Sequence, residues 1–186
     1  MMIFELPKAL DVNGTEYTIR TDYRDVLTVL LAFDDPELSN SEKAYVCLKA
    51  LYEGFDDMPE DDYNAAFEAA MGFIDHGTGD GSRPGPRTMD WEQDANLLFP
   101  AINSVAGCEV READYIHWWT FMGYFMEIGD GTFATVLSLR QKKARGKKLE
   151  KWEREWWQNN IGICRLKHKE TDEDKAEKER LKAILG

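Results

Sequence analysis

A chain of 186 residues is long enough for one ordinary domain, or one with appendages, and can bury a core that folds without covalent staples. A net charge of −12 and a pI near 4.7 argue against a protein that coats nucleic acid with its whole surface, because phosphate binding needs a basic face. Cys47, Cys108 and Cys164 are odd in number, widely spaced and never CxxC, so they suggest neither a disulfide framework nor a zinc site and read as reduced thiols, two of them buried. The opening MMIFELPKAL lacks the basic-then-apolar order of a secretory leader, and no run is long enough to cross a bilayer, so a cytoplasmic protein is expected.

In chain order, Ala9 to Arg20 reads as a β-hairpin, with Val12, Tyr17 and Ile19 alternating around the turn signal Asn13-Gly14. A lone hairpin is marginal and must lean on helices. Thr21 is the expected N-cap of a helix carrying Tyr23, Val26, Leu27, Leu30 and Leu31, which stops at Asp34-Asp35-Pro36. Ser39 to Ser41 can cap a second helix, with Ala44, Cys47, Leu48 and Leu51 as its apolar stripe. A third starts at Pro59, with acidic residues in its first turn, and buries Tyr63, Ala66, Phe67, Ala70, Met71 and Ile74.

Gly77 to Arg87, GTGDGSRPGPR, is too rich in glycine and proline for a regular element and lacks the lysine and spacing of a phosphate loop. It divides the chain into 1–76, a hairpin plus three-helix unit; 77–89, the linker; 90–165, an aromatic helical unit; and 166–186, a charged helix or disordered tail. In the aromatic unit, Trp91, Leu97, Leu98, Ile102 and Val105 predict a helix that Pro100 kinks or restarts and Gly107 ends. Ala113 to Ile128 is apolar almost all round and reads as a helix buried on several faces. After Gly129-Asp130-Gly131, Thr132 can cap a helix through Val136, Leu137 and Leu139 into a basic run, interrupted near Gly146. Trp152, Trp156 and Trp157 then share one helical face. The fold class is mainly α: a bundle of about seven helices with a small N-terminal hairpin.

The candidate sites are few. The carboxylates Asp56, Asp57, Glu60, Asp61 and Asp62 lack the calcium-loop pattern and read as a solvated helix start. His76, His117 and His168 have no metal-ligand partner at helical spacing, and His117 beside Trp118 and Trp119 reads as a satisfied core or interface histidine. There is no GxSxG elbow, and no cysteine stands in a catalytic context, so no enzyme and no cofactor are expected. Between Arg140 and Trp156 eight basic residues stand against three acidic ones, a local +5 that leaves −17 for the remainder. Cations followed by tryptophans could bind single-stranded nucleic acid through phosphates and stacked bases. In so acidic a chain, a protein contact is the better reading, and self-association of this basic run with the acidic N-terminal half is one form of it.

The strings LFPAIN at Leu98 to Asn103, HWWTF at His117 to Phe121, GYFMEIGDGTF at Gly123 to Phe133 and KKARGKKL at Lys142 to Leu149 resemble the bacteriophage gene-product-fifteen family of long-tailed phages and prophages. The N-terminal half resembles it more loosely, so the resemblance covers most of the chain apart from the linker and the tail beyond Arg165. It implies a non-enzymatic tail-assembly chaperone in the host cytoplasm that binds the tape-measure protein, with the major tail protein a further candidate partner. The alternatives are a structural adaptor retained in the virion and a nucleic-acid-binding phage protein using Arg140 to Trp157. The family brings no catalytic, metal or cofactor residues with it. Protein-binding residues are expected among Trp118, Trp119, Tyr124, Lys142, Lys143, Lys147, Trp152 and Trp156, a set that mixes core and contact positions.

Overall fold

A computed structural model describes residues 5–75 and 86–167. Most of the expected linker at 77–89, and all but the first two residues of the charged segment 166–186, lie outside the described residues. Among the described residues the chain is mainly helical, with eight α-helices and one two-stranded antiparallel hairpin.

The strands β1 (Ala9–Val12) and β2 (Thr15–Thr18) pair with Val12 opposite Thr15 and Leu10 opposite Tyr17. Asn13 and Gly14 have φ of 53° and 84°, the two successive left-handed residues that a primed hairpin turn requires. The hairpin does lean on its neighbours. The Asn13 amide and the Tyr17 hydroxyl donate to the Asp62 carboxylate at 2.8 and 2.9 Å, and Ile19 bridges to Tyr52.

Helix α1 (Tyr23–Phe33) is capped by Asp22, which accepts from the Arg24 N–H at 2.9 Å, and not by Thr21 as the sequence suggested. Thr21 is engaged elsewhere: its hydroxyl meets that of Tyr115 at 2.6 Å and its carbonyl accepts the Trp118 N–H at 2.7 Å. Helix α2 (Asn40–Leu51) opens with a reciprocal cap between Ser39 and Glu42, which satisfies a first-turn N–H and that of the cap residue together. Pro59 begins only a 3-10 turn at Glu60–Asp62, and α3 (Tyr63–Ile74) follows, burying Ala66, Ala70, Ile74 and also Phe73, which the expected stripe omitted.

Helix α4 (Ala95–Ala106) passes through Pro100 without restarting, because the proline removes one N–H from the ladder at an exposed position. Gly107, at φ 72°, ends it. The helix expected from Ala113 is shorter: α5 spans Trp118–Met126. The preceding segment is held extended, since Tyr23 N–H donates to the Ile116 carbonyl at 3.0 Å and His117 pairs with Asp22. Helix α6 (Thr132–Ala144) has Gly131 at its N-cap and no side-chain cap; Thr132 is its first residue. Helices α7 (Lys151–Asn159) and α8 (Ile161–Cys164) complete the described chain.

One cluster of buried side chains draws on both sides of the linker, joining Val26, Leu51 and Phe73 to Ile102, Trp118 and Phe121. Tyr23 of α1 stacks on Phe121 of α5 with ring centroids 4.3 Å apart and planes 8° apart, and the Trp118 indole N–H donates to the Ile74 carbonyl at 2.9 Å. Apolar burial and hydrogen bonding therefore connect the same elements.

Candidate protein-binding surface

Helix α5 is aromatic on nearly every side, and tertiary packing sorts its residues. Trp118 is 1% exposed and belongs to the core, so it cannot contact a partner. Trp119 is half-buried, its ring stacked on Phe73 and its indole N–H donating to the Phe73 carbonyl at 2.9 Å. Tyr124 is half-buried on another flank, and Met126, seven residues after Trp119 and so on the same side of the helix, is exposed. His117 is buried at the helix start, where Nδ1 accepts the Trp119 N–H at 3.0 Å. The proton therefore sits on Nε2, which donates to the Pro7 carbonyl at 2.9 Å. This is a satisfied core histidine. Among the described residues no group of three or more histidine, cysteine, aspartate or glutamate side chains could hold a metal.

The basic run also divides. Arg140, which opens the basic run expected to meet a partner, is buried: its guanidinium grips both oxygens of the buried Asp94 at 2.6 and 2.9 Å. The remaining donors reach the carbonyls of Cys164 at 2.8 Å, Ile163 at 2.7 Å and Thr88 at 3.1 Å. Five N–H groups thus join α6 to Asp94 at the cap of α4, to α8 and to Thr88 at the end of the linker, which leaves this cation no part in binding. Asp94 carries no signal in the sequence.

At the end of α6 the Gly146 N–H returns to the Lys143 carbonyl at 2.9 Å and the Lys147 N–H to the Lys142 carbonyl at 2.8 Å, with Gly146 at φ 68°. These are the two bonds of a Schellman stop, which explains the glycine in KKARGKKL. After this stop, α7 meets the end of α6 through two side-chain contacts. Glu153, 2% exposed, pairs with Lys142 and accepts the Glu150 N–H at 2.8 Å. The Lys142 hydrogen bond, then the Glu150 N–H, hold the Glu153 carboxyl below the usual carboxylate range. Lys143 lies over the Trp157 ring, 4.1 Å from its centroid.

The tryptophan face expected on α7 is consequently split. Glu153 turns inward, Trp156 and Trp157 are half-buried, and Trp152 is left 57% exposed. Of the eight candidate residues, Trp118 is core, Lys142 and Lys143 are engaged within the chain, and Lys147 and Trp152 are exposed; Trp119, Tyr124 and Trp156 are part-covered. Arg145, Lys148, Lys151 and Arg154, all close to Trp152 in the chain, are exposed. The arrangement holds no nucleophile poised by a base. It offers an exposed aromatic side chain flanked in sequence by exposed cations, suited to protein contact.

Among the described residues no helix is long and apolar enough to cross a membrane. No curated protein and no solved structure matches the chain. Residues 2–162 match the family described as Bacteriophage Gp15 protein, and the chain belongs to that family.

Proposed function

We propose that this phage protein is a non-enzymatic tail-assembly chaperone that binds the tape-measure protein in the host cytoplasm and leaves as the tail tube forms around it. The observation that carries the reading is the family match over residues 2–162, together with the tail-morphogenesis role that the resemblance implies. A tape measure is long and amphipathic, and its apolar stripe would aggregate if left uncovered. The flank of α5 carrying Trp119 and the exposed Met126 is suited to cover such a stripe, because methionine adapts to irregular apolar partners and gives them up readily. Many weak contacts repeated along the tape would add to strong retention while still allowing stepwise displacement.

The test is co-expression with the tape-measure protein encoded by the same phage. The chaperone reading expects the tape measure to become soluble, to co-purify with this chain, and to lose both behaviours when Met126→Glu places a charge on the α5 flank. A tape measure that stays insoluble and never co-purifies would refute it. Mass spectrometry of purified virions separates the chaperone from a tail adaptor, since a chaperone is absent from finished particles.

A further inference from the structure

We infer that the corner between α6 and α7 docks onto the acidic edge of a second copy of this chain, so that copies associate head to tail. On the basic side, Arg145, Lys147, Lys148, Lys151 and Arg154 are exposed and make no ion pair among the described residues, whereas Arg140 and Lys142 spend their charge inside the fold. Trp152, next to Lys151 in the chain, is 57% exposed. On the acidic side, the chain from Glu53 to Asp62 carries six carboxylates and no cation. Asp56 pairs with Lys49 and Asp62 is occupied by Asn13 and Tyr17, while Glu53, Asp57, Glu60 and Asp61 are exposed without an ion pair among the described residues. Tyr45 stands at this edge, 56% exposed, with its ring edge-on to Phe55 at 5.4 Å.

Each surface therefore joins unpaired charge of one sign to an exposed aromatic side chain, the residue class enriched where proteins meet. The two surfaces are complementary in sign and both belong to the same molecule. A polyanion such as nucleic acid is the poorer occupant, because the chain as a whole carries −12. The two patches lie on different elements, so a head-to-tail contact is heterologous: each added copy presents a fresh basic corner and a fresh acidic edge, and association continues until a ring closes, as a reciprocal dimer at the smallest, or a filament forms. This inference does not depend on the chaperone reading, although a repeating coat would suit it.

Analytical ultracentrifugation of the purified full-length chain tests the idea at about 10 mM and about 1 M salt, where the screening length falls from roughly 30 to 3 Å. Concentration-dependent multimers are expected at low salt and at least a tenfold weaker association at high salt. The surface variants K147Q/K148Q/K151Q and D57N/E60Q/D61N, each checked for unchanged far-ultraviolet circular dichroism, should each be monomeric. Mixed in equal amounts, they should form dimers and nothing larger, because only one corner and one edge remain intact. A wild-type chain that is monomeric at both salts overturns the inference, as do variants that multimerise like wild type or a mixture that stays monomeric. Binding of single-stranded DNA or of the tape measure through Lys147, Lys148 and Lys151 by a monomer would assign the corner to that partner instead.

Discussion

The Arg140 guanidinium uses all five of its N–H donors, two on Asp94 and one each on Cys164, Ile163 and Thr88. Such a pair is not strongly stabilising in itself, because removing two charges from water offsets most of their attraction. Taking away one partner is another matter, since the other charge is then buried alone. Arg140→Ala is expected to lower the unfolding free energy by about 3–5 kcal/mol, measured by urea denaturation, while R140M/D94L recovers a large part of that loss. Equal losses in the single and double variants would show that the site depends on the carbonyl contacts and not on the uncompensated carboxylate. The cysteines give a second prediction at this scale. Burial pushes the Cys47 thiol up to about 12 and raises that of Cys164, whereas Cys108 is exposed. Iodoacetamide on the native chain should modify Cys108 alone, with all three thiols reacting in urea; native labelling of Cys47 would contradict the packing.

Some local signals carry through, because neighbours in the chain decide the outcome. Asn13-Gly14 forms its turn and Ser39 caps α2 through Glu42, because each needs only residues within a few positions. Where a distant segment competes, the sequence reading missed. Thr21 gives up the cap of α1 to Asp22, and α5 begins at Trp118, because the chain around residue 22 pairs with that around residue 117. The corner between α6 and α7 depends on both kinds of signal: Gly146 ends α6 locally, and Glu153 of α7 pairs with Lys142 of α6. Since the folded Glu153 carboxyl titrates below its unfolded value of about 4.3, its contribution is fully present above that pH and is lost as pH falls through the folded value. Glu42, held low by Ser39, and Glu109, held at about 2 chiefly by Arg111, act in the same direction. Stability should therefore decline as pH drops below about 4.3, and E153Q should make that decline shallower in urea titrations followed by tryptophan fluorescence. An unchanged slope would remove Glu153 from the account.

At the scale of the whole molecule, one core among the described residues is shared by the parts before and after the linker. Ile74, just before the linker, accepts a hydrogen bond from Trp118, and Tyr23 stacks on Phe121 far along the chain. Elements so joined should unfold together. Circular dichroism at 222 nm, reporting all helices, and tryptophan fluorescence, reporting only residues beyond the linker, are expected to give coincident urea transitions. Two separate transitions would show that the parts before and after the linker are independent units.

The helical class, the hairpin and the family were legible in the sequence because periodicity, turn residues and motif strings are properties of short stretches. The candidate surface was legible only in outline. Lys147 and Trp152 are exposed as a binding role needs, but Trp118 is core, Arg140 is buried against Asp94, and Glu153 rather than Trp152 faces inward from α7. Burial depends on what the other end of the chain places beside a residue. A periodic aromatic or basic run states how many side chains of each kind there are, and only the tertiary fold decides which of them meet solvent.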